Sequence, residues 1–258
     1  MDLQDELEQP PMATFDVVLD PEGDGGFFRY QNGPGEVQRR HLVDRGNSLV
    51  VQGELAEVVH GKLSPDSDDE ATLVVTDFHF VPSKASRRFK SAAITLRFEA
   101  EASADSAVEV VEISPKESKS PGGLSGTIRL EGRPYGPKNT ARWIVSEKDE
   151  FGIPRRIRTV TLLRRKARKE GGNARFLAEV EIKTKVDFAS TAEAAFDSLL
   201  GRTPKDEPVI FDPEHPSTTT RFGTESLDNV DLSELSAHTR PPPPVYSSKT
   251  FDKTERQK

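Results

Sequence analysis

Apolar residues in the middle of this chain return at every second position. Phe89–Ala100 sets Ala92, Ile94, Leu96 and Phe98 on one side, with Ala93, Thr95, Arg97 and Glu99 on the other. Residues 175–188 repeat the pattern: Phe176, Ala178, Val180, Ile182, Thr184, Val186 and Phe188 oppose Arg175, Glu179, Glu181, Lys183, Lys185 and Asp187. A period of two with one apolar side predicts strands of a sheet that keeps one face in water. Further strands are expected over 71–81, stopped by Pro82, and over 107–113, 126–131, 140–146 and Arg156–Arg165. Residues 48–63, interrupted by Gly53 and Gly61, predict one or two strands with a bulge. The chain therefore reads as mainly β, an antiparallel β-sandwich of about eight or nine strands, with a barrel as the competing closure. Long crossover helices are missing from the pattern, which argues against a parallel α/β fold.

The ends read differently. Residues 1–12 predict a disordered acidic lead, 13–216 the sandwich domain with a docked extension, and 217–258 a disordered tail rich in Pro, Ser and Thr. Within 13–216, a first strand is expected over 14–19, followed by turn formers at 20–26 and a pairing segment at 27–30. One short C-terminal helix is expected over 190–201, where Ser190 and Glu193 have the spacing of a capping box. Ala192, Ala195, Phe196, Leu199 and Leu200 would form its apolar stripe and Gly201 its C-terminal stop. Val209-Ile-Phe211 predicts an added edge strand. Leu227, Val230, Leu232 and Leu235, set among acids, suit either an amphipathic turn formed on binding or a segment folded back onto the sandwich.

Composition narrows the setting. Of 258 residues, 34% are hydrophobic and 31% charged, with 19 prolines, so part of the chain should lie outside any core. Cysteine is absent, which excludes disulfides, zinc-thiolate sites, iron–sulfur clusters and thiol catalysis. The acidic start carries no apolar signal segment, and no apolar run reaches the ~18 residues of a membrane span. A cytoplasmic or nuclear location is expected. The net charge of −7 argues against whole-surface attraction to nucleic acid or anionic lipid, leaving local patches.

Candidate chemistry is sparse. The glycines of 20–35 lack the spacing and following helix of a phosphate-cradling loop and read as turns. The five histidines show no metal-ligand spacing. Asp77 and His79 share a strand face and could begin a metal site, but no third ligand is visible and a cross-strand polar pair explains them. No serine sits in a nucleophile elbow. Acidic pairs such as Asp68-Asp69 fall at expected loop tips. No catalytic, metal or cofactor residue is assigned, and no cofactor is expected.

Two segments stand out. Arg155, Arg156, Arg158, Arg164, Arg165, Lys166, Arg168 and Lys169 form a run without acids. On a β-hairpin this is a stripe suited to phosphate or lipid headgroups, or a set of edge charges that blocks aggregation. In the tail, Pro243-Pro244-Val245-Tyr246 is the PPxY pattern read by WW domains. Consecutive prolines pre-form a polyproline II helix, so docking in an aromatic groove costs little entropy, and the tyrosine supplies a large anchor.

From Trp143 to Phe211 the sequence resembles a family of uncharacterised proteins from filamentous fungi. The resemblance lies in Trp143-Ile-Val, Gly152-Ile-Pro154, Val160-Thr-Leu-Leu-Arg-Arg165, Glu179-Val-Glu-Ile-Lys-Thr-Lys-Val-Asp187, Pro204-Lys-Asp-Glu-Pro-Val-Ile-Phe-Asp-Pro213 and the acidic stretch 227–235. It implies a fungal origin and a shared fold, and it carries no site residue. Three functional readings follow. The first is a non-catalytic adaptor whose tail recruits WW-domain partners. The second is a small-molecule-binding or accessory enzyme-like sandwich in a fungal biosynthetic pathway. The third is an anionic-surface binder through the basic hairpin.

Overall fold

A computed structural model describes residues 30–45, 49–82, 88–101, 107–119, 128–148, 151–166, 174–186 and 206–236. Among the described residues eleven strands follow one another: β1 His41–Arg45, β2 Leu49–Lys62, β3 Glu70–Pro82, β4 Phe89–Ala100, β5 Val108–Ser114, β6 Glu117–Lys119, β7 Ile128–Pro134, β8 Thr140–Glu147, β9 Arg156–Arg165, β10 Phe176–Val186 and β11 Val209–Phe211. They form two antiparallel sheets in the order β1-β2-β3-β9-β5 (sheet A) and β11-β10-β4-β8-β7-β6 (sheet B). The sandwich expected from alternation is the architecture found. Val209–Phe211 pairs with β10 as the expected edge strand. The expected bulge lies in β2 between Leu55 and Glu57. The two short strands β1 and β6 were not foreseen.

Alternation explains sheet B directly. Ala92, Ile94, Leu96 and Phe98 of β4 are all buried, as are Phe176 and Ala178 of β10, while Glu179, Glu181, Lys183 and Lys185 face water. Phe176 stacks on Phe211 with centroids 4.8 Å apart and lies 6.4 Å from Phe98, which locks three neighbouring strands at one end of the core.

Sheet A behaves differently. Every residue from Ala71 to Phe78 is buried, so β3 has two dry faces. Its inward side chains Val74 and Phe78 join the core between the sheets. Leu73 and Val75 point outward and join a second cluster with Val59, Val160, Leu162, Leu227, Leu232 and Leu235. The cover is a strap formed by residues 212–236, which ends in a 3-10 turn, Leu227–Asn229, and the short helix α1, Leu232–Ser236. Thr218 donates its backbone N–H and its hydroxyl to the Val58 carbonyl, at 2.9 and 3.2 Å, and its Oγ1 accepts from Val58 N at 2.7 Å. Lys62 N donates to Thr224 O at 2.8 Å, and Asp228 N to Leu63 O at 3.0 Å. The strap passes so close to β2 that a Cβ on Gly61 would lie 2.2 Å from Thr224 O. Only glycine fits there.

Residues 217–236 are thus part of the packed fold, which corrects the expectation of a disordered tail from 217 onward. The physical reason is the outward apolar row of β3 and β9, which needs a cover, and the fold-back alternative for Leu227, Val230, Leu232 and Leu235 is the one realised. The described short helix is α1. The helix expected over 190–201 and the strand over 14–19 lie outside the described residues, as do the acidic lead and residues 237–258.

Both lateral openings of the sandwich are bridged. On one side the chain passes from β5 in sheet A to β6 in sheet B. There Gly132 N donates to Lys116 O at 2.7 Å, and a Cβ on Gly132 would lie 2.1 Å from Pro115 O and 2.7 Å from the Trp143 ring. On the other side residues 30–40 join β1 to β11: Gln38 N donates to Ile210 O at 2.7 Å and Leu55 N to Arg40 O at 2.7 Å. Arg39, 5% exposed, anchors this clasp by donating to His41 O (2.8 Å), Asn32 Oδ1 (2.7 Å) and Glu207 O (2.9 Å). Arg45 pairs with Asp206 at 2.6 Å.

Removing the strap should unmake the second core. A chain ending at Pro216, compared with one ending at Ser236, is expected to lose stability on the order of 5 kcal/mol, from about 1.5–3 kcal/mol for each buried leucine. Urea denaturation measures the loss, and binding of a hydrophobic dye to the shortened chain reports the bared face. Equal midpoints and no dye binding would show that the strap adds nothing.

Candidate functional site

The outer face of sheet A gathers Asp77, His79, Arg156, Arg158 and Arg164. In the β3–β9 register Asp77 sits opposite Arg158 and His79 opposite Arg156. Arg158 donates Nε to Asp77 Oδ1 at 2.9 Å and Nη2 to Oδ2 at 2.7 Å, and Arg156 Nη2 donates to Oδ2 at 2.6 Å. Burial would raise the Asp77 carboxyl, but the hydrogen bonds from Arg158 and Arg156 outweigh it and hold the group below the usual carboxylate range. Asp77 and His79 do share a face, yet the carboxylate is spent on guanidinium groups. Among the described residues no three His, Asp or Glu side chains are arranged to hold a metal ion.

The basic run divides in the same way. Arg164 pairs with Glu109 and lies 3.7 Å from Asp69. The hydrogen bond from Arg164 is the main reason the Glu109 carboxyl sits below its ordinary value. Arg165 points inward, 5% exposed, donates to Ala71 O at 3.1 Å and lies 3.7 Å from Glu70; burial pushes its guanidinium down to about 10. Arg155 and Lys166 are exposed, and Arg168 and Lys169 lie outside the described residues. Four of the eight cations therefore serve carboxylates of the sheet. The partners Asp77 and Glu109 come from strands on either side of β9, a pairing that linear sequence does not display.

A polar cluster closes one end of the interior. His60, 8% exposed, holds Thr72 Oγ1 at 2.9 Å through Nδ1 and the Gln38 amide nitrogen at 3.1 Å through Nε2. That amide nitrogen also reaches Asp212 O at 3.3 Å, which fixes it as the donor. The ring is then a neutral tautomer with its proton on Nδ1, donating to the threonine. Among the described residues Gln38 alone combines a side chain with a positive φ, 51°, and this backbone aims its amide at the ring. Burial, and secondarily Arg165, lowers His60 to about 4. Both ring nitrogens are engaged inside the fold, so the cluster holds β2, β3 and residues 38 and 212 together and presents no nitrogen to a substrate.

The strap ends beside two surface grooves. One, of about 440 Å³, lies between β5, β6 and α1 and is bordered by Glu112, Pro115, Leu130, Val230 and Ser233. The other, of about 640 Å³, lies along the strap between Arg221, Phe222, Asn229 and Glu234. At the edge of the first, Ser236 and Ser114 share a hydrogen bond of 2.7 Å between buried hydroxyls. This contact fixes the point from which the chain runs on toward Pro243, Pro244, Val245 and Tyr246, which themselves lie outside the described residues. Sequence reasoning passed over a third feature, the hairpin of β7 and β8. There Arg133, Tyr135 and Arg142 cluster on the outer face of sheet B. Their cross-strand placement is invisible until the register is known.

No protein-family model matches the chain, and no curated protein matches it. Among the described residues no helix is long and apolar enough to cross a membrane.

Two outcomes test these clusters. Asp77→Ala leaves two guanidinium groups facing each other without a carboxylate and is expected to destabilise the fold by roughly 3 kcal/mol. Arg156→Gln should be milder, because that side chain is 40% exposed. For His60 the folded value lies below the unfolded one, so its contribution is complete above pH 6.5 and drains away as pH falls toward 4. Over that window it should amount to about 3 kcal/mol, and His60→Asn should flatten the corresponding slope in urea titrations. An unchanged slope would show that the ring is not buried and neutral.

Proposed function

We propose that this protein is a non-catalytic interaction adaptor that tethers a WW-domain ligand, Pro243-Pro244-Val245-Tyr246, within a short reach of its sandwich. The supporting observation is the anchored strap. It carries the chain along sheet A to the buried Ser236, and Pro243 follows seven residues later. A fully extended chain of that length spans at most about 25 Å, so a domain that grips the motif also stands against the sandwich. Such tethering raises the effective concentration of one partner next to another. The sandwich is the second docking body, and a cytoplasmic or nuclear location and a fungal source belong to the same proposal. The competing pocket-binding reading has less support, since both grooves described above lie at the surface beside the strap.

A peptide of residues 236–250 is expected to bind a PPxY-selective WW domain with measurable affinity by titration calorimetry. Tyr246→Ala should weaken binding by at least about tenfold, the loss typical of a buried aromatic anchor. The same substitution in the full chain should abolish capture of the WW domain while leaving thermal unfolding unchanged. No detectable binding at millimolar peptide removes this function.

A further inference from the structure

The outer face of sheet B carries two guanidinium groups that no carboxylate of the described residues meets. Arg133 on β7 and Arg142 on β8 are direct cross-strand partners. Like charges in that position destabilise a sheet. Neither side chain forms an ion pair with any described residue, and the Arg142 Nε is buried without a hydrogen-bond acceptor. The carboxylates that could relieve them are committed elsewhere: Glu131, two residues along β7, accepts from Arg129 Nε at 2.9 Å, and Glu99 accepts from Arg97. Tyr135 is 45% exposed, with the Arg142 guanidinium 4.7 Å and the Arg133 guanidinium 6.0 Å from its ring.

The support beneath this trio is fixed on three sides. Tyr135 N donates to Thr140 O at 3.0 Å, Asn139 Nδ2 to Phe98 O at 2.7 Å, and Val110 N to Lys138 O at 2.7 Å. The hairpin is therefore tied to β4 and β5 and does not swing. Two planar, five-donor forks on directly paired positions of a tied hairpin suit a tetrahedral dianion. Each guanidinium offers two parallel N–H groups to two oxygens, and two positive charges balance the two negative ones. The Tyr135 ring offers the two cations a π face but no charge, and a like-charged cross-strand pair without a carboxylate among the described residues points to an external anion that supplies it.

We propose that Arg133, Arg142 and Tyr135 form a binding site for a phosphate monoester dianion, carried either by a phosphorylated side chain of a polypeptide or by a free phosphate ester. The site is independent of the tail motif and of the basic run on β9. It places the anion across β7 and β8 with its ester group beside the exposed tyrosine ring, whose hydroxyl adds a further donor.

The test is titration of the full-length protein, at neutral pH, with phenyl phosphate, with a phosphoserine peptide and with the same peptide unphosphorylated. Binding is followed by NMR at the Arg142 Nε–H and the Tyr135 ring. Both phosphorylated probes should shift these signals, and the unphosphorylated peptide should not. Arg142→Gln and Arg133→Gln should each weaken binding about tenfold. Lys185→Gln, which removes one charge from the same sheet face at a distance, should change it less than about twofold. Tighter binding of the phosphopeptide than of phenyl phosphate assigns the site to phosphorylated polypeptides, and equal binding assigns it to free esters. An equal loss in the Lys185→Gln protein, or no shift at the Arg142 Nε–H with either phosphate, overturns the proposal. Thermal unfolding of each variant confirms that the fold is kept.

Discussion

The outward side chains of β3 and β9 have to leave water, and the rest of the molecule is arranged around that need. A two-layer sandwich normally keeps its outer faces wet. Here Leu73, Val75, Val160 and Leu162 make one outer face apolar, and Leu227, Leu232 and Leu235 cover it. The strap consequently runs where those residues lie. It must pass Gly61 at backbone contact distance, dock its carbonyls and hydroxyls on the bulged β2, and end beside β5. The bulge belongs to the same solution, since it lies where Val58 turns its backbone groups to Thr218.

Polar groups inside the sandwich are placed as carefully as the apolar ones. Thr76 and Thr159 share a hydrogen bond of 2.5 Å across β3 and β9, and Thr72 meets His60. Buried hydroxyls and a buried imidazole cost several kcal/mol if left unpaired, whereas paired ones fix strand register. The clasp of residues 30–40 extends this logic to the flank. Arg39 spends its guanidinium on two carbonyls and an asparagine side chain, so the local loop at residues 32 and 41 and the distant Glu207 meet at one cation.

How far the sequence revealed this depends on the range of the interaction. The strands of sheet B were legible because one wet face imposes a strict alternation, as in β4 and β10. The run Ala71-Thr-Leu-Val-Val-Thr76 was read correctly as a strand. Its near-continuous apolar character signals burial on both faces, but the cover that completes it lies about 150 residues further along the chain, beyond the reach of a local pattern. The strap itself looked like a disordered tail because four apolar residues among Ser, Thr and acids have no local structure of their own; the sheet supplies it. β1 and β6 escaped because five and three residues carry too little pattern. Among the candidate sites, the PPxY pattern was legible as a linear motif. The fate of the basic run was not, since Arg156, Arg158 and Arg164 find their acids on other strands. For the same reason the Arg133–Arg142 pair becomes visible only through the register.

The order of the parts along the chain has a consequence for synthesis. Every strand of sheet A precedes the strap, so a nascent polypeptide can pair β1, β2, β3, β5 and β9 before residues 227–235 exist. Until those residues dock, the outer row of Leu73, Val75, Val160 and Leu162 has no cover, the kind of exposed apolar surface that favours aggregation. The leucines that close this face are thus supplied last, by residues 227–235.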